Sequence, residues 1–214
     1  MENKFQLEVP FYSNAPDNMH CFEANLKMTL KYFWPDENYS WEDLEKITHK
    51  VTGLYTWPLA ALLWIQEKGA EIINIECFEY EKFIEKGGEY IRESFGDEVA
   101  DTQIKYSDIA QEQELAKDFI KKINTRFEIP TINAIKELIL NNYVVICTVN
   151  SKKMNGLDGY ASHSIIVKGY DENGFIIHNP GIPPSPDQFV TYEIFERAWA
   201  YPDEKSKNIT AIKF

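Results

Sequence analysis

The stretch HSIIVKGYDENGFIIHNPG, His163 to Gly181, constrains this chain more than any other. Two runs of β-branched and aromatic residues flank Asp171-Glu172-Asn173-Gly174, and Asn-Gly favours a tight turn, so the stretch predicts a β-hairpin. A histidine opens the hairpin and an asparagine closes it, and both residue types are costly to bury without partners. His163, Ile165 and Val167 share one face of the first strand. A tight turn puts the start of one strand beside the end of the other, so His163 and Asn179 are expected as cross-strand neighbours. The amide oxygen of Asn179 would accept from one imidazole nitrogen and leave the other free to face a thiol.

The chain before the hairpin is mostly helical in pattern. Residues 5–13 read as extended, because Pro10 forbids a helix there. Phe22, Leu26, Leu30 and Phe33 then recur at helical spacing up to Pro35, which places Cys21 at the first turn of an apolar-faced helix. Ser40 and Asp43 open a second helix with a capping-box pattern. In a third, TWPLAALLWIQEKG, Thr56 is the expected cap, Pro58 fits the first turn and Gly69 ends it. EIINIECF reads as a strand. Residues 79–128 are charged and helical in pattern, with Ile109, Ala116, Phe119 and Ile123 in one stripe, and read as a helical insertion. TINAIKELILNN is one more helix.

After that the character changes. YVVICTV is a buried strand, NSKKMNGLDGYAS a loop and PGIPPSPDQ a Pro-rich loop; FVTY and the terminal ITAIKF close the sheet around a short helix, EIFERAWA. Helices first and antiparallel strands second is an α+β pattern. The 214 residues suit one domain.

Composition limits the partners. The net charge of −12 repels polyphosphate, which argues against nucleic acid. The longest apolar run, WPLAALLWI, is too short to span a bilayer, and MENKFQLEVP lacks the apolar core of a secretion signal, so the expectation is a cytoplasmic protein with no membrane role. Three cysteines without CxxC spacing argue against a disulfide framework and a zinc ribbon. His20, Cys21, Cys147 and His163 carry metal-ligating atoms, but none stands at zinc-motif spacing, so no metal is assigned. Oligomeric state is not readable from the sequence.

Cys21 is the chemically interesting thiol. A helix N-terminus carries partial positive charge and favours a thiolate, and such settings lower a cysteine from about 8.5 to roughly 3.5–7.5. An early Cys, a late His and a later Asn have the general form of a thiol triad. The thiolate attacks a carbonyl carbon, the imidazolium protonates the leaving amine, and the amide orients the ring without adding charge. His20 points away from its neighbour's thiol and reads as a solvated helix start; His178 falls on the face opposite Asn179; His49 suits a helix C-terminus. Cys77 and Cys147 sit in strand patterns and read as core. Trp57, at a helix start, and Asp158, in the loop before His163, are candidates for lining a substrate cleft.

Three blocks of the sequence resemble the C39-like peptidases, a branch of the papain-like cysteine-protease fold. They are VPFYSNAPDNMHC, TWPLAALLWIQEKGAEI and HSIIVKGYDENGFIIHNPG, with FERAW similar to the family's aromatic-Trp helix. The resemblance implies a papain-like fold with a helical lobe ahead of an antiparallel sheet lobe. It implies Cys21 as nucleophile, His163 as general base and acid, and Asn179 as orienter. Two positions depart from the family pattern. Asn14 stands where a Gln usually helps bind the oxyanion, with Asn18 as a second possibility, and Phe22 follows the cysteine where many members have Gly. Residues 79–128 have no counterpart in the family pattern.

The resulting expectation is a cofactor-independent cysteine hydrolase acting on a peptide or small amide. Acyl transfer on the same triad is the first alternative. A non-catalytic binding module that keeps the fold is the second.

Overall fold

The structure is a computed structural model that describes residues 4–181 and 183–214. In chain order the elements are β1 (Phe5–Gln6), α1 (Cys21–Phe33), α2 (Trp41–Thr48), α3 (Leu59–Glu67), β2 (Glu71–Glu76), α4 (Tyr80–Lys86), α5 (Gly88–Tyr106), α6 (Ile109–Lys122) and β3 (Thr125–Arg126). They continue with α7 (Ile132–Leu140), β4 (Val144–Asn150), α8 (Ser151–Met154), β5 (Ser162–Tyr170), β6 (Gly174–Asn179), β7 (Ser185–Thr191), α9 (Tyr192–Trp199), a 3-10 turn (Glu204–Ser206) and β8 (Asn208–Lys213). The described residues form an eight-stranded sheet in the order β3-β2-β8-β4-β5-β6-β7, with β1 paired to β5. The pairings are antiparallel apart from β2 with β3. This is the α+β architecture expected from the sequence.

Several elements depart from the sequence reading. The terminal strand does not close the sheet but runs between β2 and β4. Its Ile209, Ala211 and Ile212 are fully buried, as a central position demands. The stretch 151–162 contains the short helix α8, whose Asn150 side chain accepts from the Lys152 and Lys153 N–H groups. The Pro-rich stretch enters β7 already at Ser185, and Pro186 is tolerated because β7 is an edge strand and needs no ladder donor there. Cys77 lies just past β2 rather than within it and is half-buried. Thr56 does not cap α3; Pro58 occupies the cap position and the Thr56 hydroxyl turns to Glu23.

The hairpin turn also differs in mechanism. The Asp171 carboxylate accepts from the Asn173 and Gly174 N–H groups at 2.7 and 3.1 Å, so the aspartate organises the turn. Gly174 is required for space, since a Cβ there would lie 2.2 Å from the Val190 carbonyl oxygen.

Residues 79–128 form α4, α5 and α6 and lead into β3. Phe83 and Phe119 are fully buried, and Phe83 stacks on Trp57 of the preceding lobe with ring centroids 5.2 Å apart. The segment therefore packs into the same core as the remainder of the chain.

Candidate active site

The start of α1 is set by three turn contacts. Asn18 adopts a left-handed φ of 61°, which Asn tolerates better than most residues. Asp17 Oδ1 accepts from the Met19 N–H at 3.0 Å, and Asn14 Oδ1 accepts from the His20 N–H at 2.8 Å. Asn14 is tied back by its own N–H, which donates to the Pro180 carbonyl at 2.9 Å. The loop before Cys21 is thus joined to the loop after Asn179.

His20 is not the solvated residue its position suggested. It is buried, with Nδ1 2.7 Å from Asp17 Oδ1 and Nε2 2.8 Å from Glu45 Oε1, and its ring meets Trp41 edge-on. Two acceptors claim both nitrogens, so the ring clamps α1 to α2 and has no nitrogen left for the thiol.

Cys21 and His163 line one cavity of about 90 Å³, together with Asn18, Tyr55, Thr56 and Ser164 among others. No hydrogen bond joins the thiol to the imidazole among the described residues. Cys21 is half-buried, and desolvation of its thiol pushes it up to about 11. The backbone N–H groups of Ser164 and Phe22 and the Lys50 charge pull it down, and the Glu23 carboxylate adds to the rise. The expectation of a lowered thiol pKa is therefore overturned: desolvation outweighs the donors at the helix start. Burial also lowers the His163 pKa, with the hydrogen bond to Asn179 opposing it. Both shifts favour an uncharged thiol and an uncharged imidazole at rest.

His163 and Asn179 meet as anticipated, but not by direct opposition. The ladder pairs Ile166 with His178 and Val167 with Ile177, and continuing that register puts position 181 opposite His163. Asn179 reaches His163 diagonally, with His163 Nε2 2.8 Å from Asn179 Oδ1. Two further bonds fix the amide. The Gly181 N–H donates to Asn179 Oδ1 at 3.0 Å, and Asn179 Nδ2 donates to Gln188 Oε1 at 3.0 Å. The oxygen is thus held toward the ring, so neutral His163 carries its proton on Nε2 and leaves Nδ1 as an acceptor. Gly181 leaves the room for this contact. A Cβ there would sit 2.6 Å from His163 Cε1 and 2.7 Å from Nε2.

Other groups hold the two halves of the site in register. Asn25, one turn past Cys21, donates from Nδ2 to Ser164 Oγ at 2.8 Å, a buried bond from α1 to the residue after His163. Lys50 Nζ donates to the Met19 and Leu54 carbonyls at 2.7 and 2.6 Å and to Thr56 Oγ1 at 3.1 Å. The fully buried Glu23 accepts from Thr48 and Thr56. Gln188, Gly181, Asn25 and Lys50 carried no mark in the sequence, because each works through a contact that only the folded register creates.

The remaining sequence candidates separate in space. Trp57 Nε1 donates to Gln103 and Ser107, and its ring lines a second cavity of about 200 Å³. Asp158 is fully exposed, pairs with Lys153 at 3.1 Å and lines neither cavity. Asn14 Oδ1 is engaged by the backbone, and its Nδ2 bonds no described residue; Asn18 lines the Cys21 cavity. Cys147 is fully buried in β4. His178 lies buried with Nε2 donating to the Val9 carbonyl at 2.9 Å and Nδ1 accepting from the Asp187 N–H at 3.2 Å, apart from the site. Among the described residues no cluster of three or more His, Cys, Asp or Glu could hold a metal ion, and no helix is long and apolar enough to cross a membrane.

A helix-borne thiol and a strand-borne imidazole line one cavity, and the imidazole is held from behind by Asn179. The Peptidase_C39-like family model matches residues 6–206, and the chain belongs to that family. The fold is similar to that of the peptidase domain of Streptococcus ComA, a bifunctional ABC transporter involved in quorum sensing. That match has a TM-score of 0.50 and 14% identity, and covers 96% of this chain and 98% of that one. It is also similar to a protein from Bacillus anthracis described as a C39-like peptidase, with a TM-score of 0.51, 19% identity and coverage of 100% and 99%. The curated proteins contain no match.

Proposed function

We propose that the chain is a cysteine-dependent hydrolase of a peptide or amide bond, working through an acyl-enzyme on Cys21. The observation that carries this reading is the 2.8 Å contact of Asn179 Oδ1 with Nε2 of His163, a residue that lines the same cavity as Cys21. Family membership supports the reaction class and a peptide as substrate.

The chemistry follows from the protonation states. Both groups rest uncharged, so His163 Nδ1 takes the thiol proton as sulfur attacks the carbonyl carbon, rather than holding a preformed ion pair. Asn179 stabilises the resulting imidazolium through Nε2–H. The Cys21 N–H, in the first turn of α1 where no helical acceptor exists, faces the developing oxyanion. Asn14 Nδ2 is the proposed second donor, with Asn18 the other candidate. The tetrahedral intermediate collapses, the C–N bond breaks, and His163 gives its proton to the leaving amine. Water, deprotonated by His163, then splits the thioester and releases the acid and the free thiol.

The test is intact-mass detection of an acyl-thioester after exposure to an activated ester, in the wild type, Cys21→Ala and His163→Ala. A transient adduct on Cys21 that decays in water and forms far more slowly without His163 supports the hydrolase. Decay that needs an added amine marks an acyltransferase. Persistent absence of any Cys21 adduct leaves the binding module.

A further inference from the structure

The cavity of about 200 Å³ adjoins the nucleophile's own, sharing Tyr55, Thr56, Pro58, Thr148 and Ser162 with it. Its outer wall comes from α5, through Ile91, Phe95, Val99 and Gln103. Trp57, Phe78, Tyr160 and Trp199 face the same space. An apolar cavity of about 150 Å³ is enough to hold benzene, so this one is the size of a single substituted ring. Rings packed against rings gain from edge and offset contacts beyond their buried area.

One part of the cavity is polar. Glu76 Oε1 accepts from Tyr80 at 2.7 Å and Asn74 at 2.5 Å, while no described residue bonds its Oε2. Ser206 Oγ, also in the lining, is buried without a hydrogen-bond partner. A buried hydroxyl with no partner is costly unless a ligand supplies one.

We propose that this cavity is the specificity pocket of the site, taking one aromatic ring with a hydrogen-bonding substituent from the substrate, and that the 79–128 segment is present to build its wall. The inference rests on the reading of Cys21 as the nucleophile. It assigns the enzyme to substrates with a tyrosine-like group next to the scissile bond. An extended run of small residues would leave the pocket unfilled.

The test uses chloroacetamides that carry the same reactive group and differ in the N-substituent: none, butyl, phenethyl and 4-hydroxyphenethyl. Alkylation of Cys21 is followed by peptide mass at pH 9, normalised to each reagent's rate with glutathione. The ring-bearing reagents should react about 10- to 100-fold faster than the unsubstituted one, as expected for burying a ring-sized apolar group. The hydroxyl should add to that advantage, and Ser206→Ala should remove part of the addition. Val99→Trp fills the pocket and should abolish the ring preference while leaving the unsubstituted rate unchanged. Phe95→Ala, at a half-buried position, enlarges it and should move the preference to a naphthyl reagent. Equal normalised rates across the set, with Cys21 reactive, overturn the pocket and leave the nucleophile standing. No reaction at Cys21 with any reagent, together with no acyl adduct on Cys21 from an activated ester, overturns both.

Discussion

Gly181→Ala isolates the geometry of the His–Asn pair. The backbone at 181 does not lie in the left-handed region, so alanine adds no conformational strain there. All of its effect comes from one methyl group. That carbon would sit 2.6 Å from His163 Cε1, 2.7 Å from Nε2 and 3.0 Å from Asn179 Oδ1. Ordinary carbon contacts begin near 3.5 Å, so the ring must retreat by roughly 1 Å. Overpacking of this kind costs about 1–3 kcal/mol, and a 1 Å misplacement of a reacting group costs about 100-fold in rate. The expected result is about a 100-fold slower formation of the Cys21 acyl-thioester at pH 7, with melting lowered by only a few degrees. The assay is intact mass against time with an activated ester, paired with thermal unfolding. Acylation at the wild-type rate in a folded Gly181→Ala protein would refute the claim that this contact positions His163.

Asn14→Ala and Asn18→Ala separate the two oxyanion candidates: the true donor's loss should slow acylation about 100- to 1,000-fold at unchanged stability, and equal, small effects would leave only backbone donors. Because burial holds the Cys21 thiol up to about 11 and Glu23 contributes, Glu23→Gln should raise iodoacetamide alkylation at pH 8 about 2- to 5-fold, read by peptide mass. His163 and His178 both have lowered pKa values through burial, so the folded state binds fewer protons than the unfolded one. Their contribution to stability is full above the ordinary histidine value, about 6.5, and is lost as pH falls toward the folded pKa values, so the melting temperature should drop between pH 7 and 5. Phe83→Ala, at a fully buried ring stacked on Trp57, should cost about 3–5 kcal/mol by denaturant titration and would show that the 79–128 segment folds with the core.

The parts of this protein legible in its sequence are those whose signals are local. The capping box at Ser40 and Asp43 forms as read, because both partners lie within one turn. The hairpin strands and the helix beginning at Cys21 follow from apolar spacing and from proline. What escaped is non-local. The place of β8 at the centre of the sheet depends on which strands it meets, not on its own residues. The burial of His20 is not legible in its neighbours, because its partners, Asp17 and Glu45, converge only after α2 folds back on α1. The raised thiol pKa is hidden for the same reason: the helix N-terminus is visible in the sequence, but the desolvation that outweighs it comes from residues of β5 and the 50–58 loop that meet the thiol only in the fold.

That burial bears on how the site works. A thiol held up to about 11 beside an imidazole held down is a poor nucleophile toward small reagents in water. On the proposed mechanism it becomes a good one only when a bound carbonyl lets proton transfer and attack proceed together, with charge appearing where the helix N-terminus and Asn179 already point. On that mechanism, the site would place its electrostatic stabilisation in the transition state rather than in a resting ion pair. Replacing Asn179 with Asp tests this directly. A carboxylate 2.8 Å from Nε2 would favour the imidazolium and pull the resting pair toward thiolate and imidazolium. Iodoacetamide alkylation of Cys21 at pH 7 should then rise by about tenfold or more, since one pKa unit is a factor of ten in thiolate. Acylation by an ester should rise much less, because the wild type already makes the charge pair at the moment of attack. Equal gains in the two reactions would mean that the wild-type thiol is limited by its ionisation alone, and the concerted transfer drawn here would be wrong.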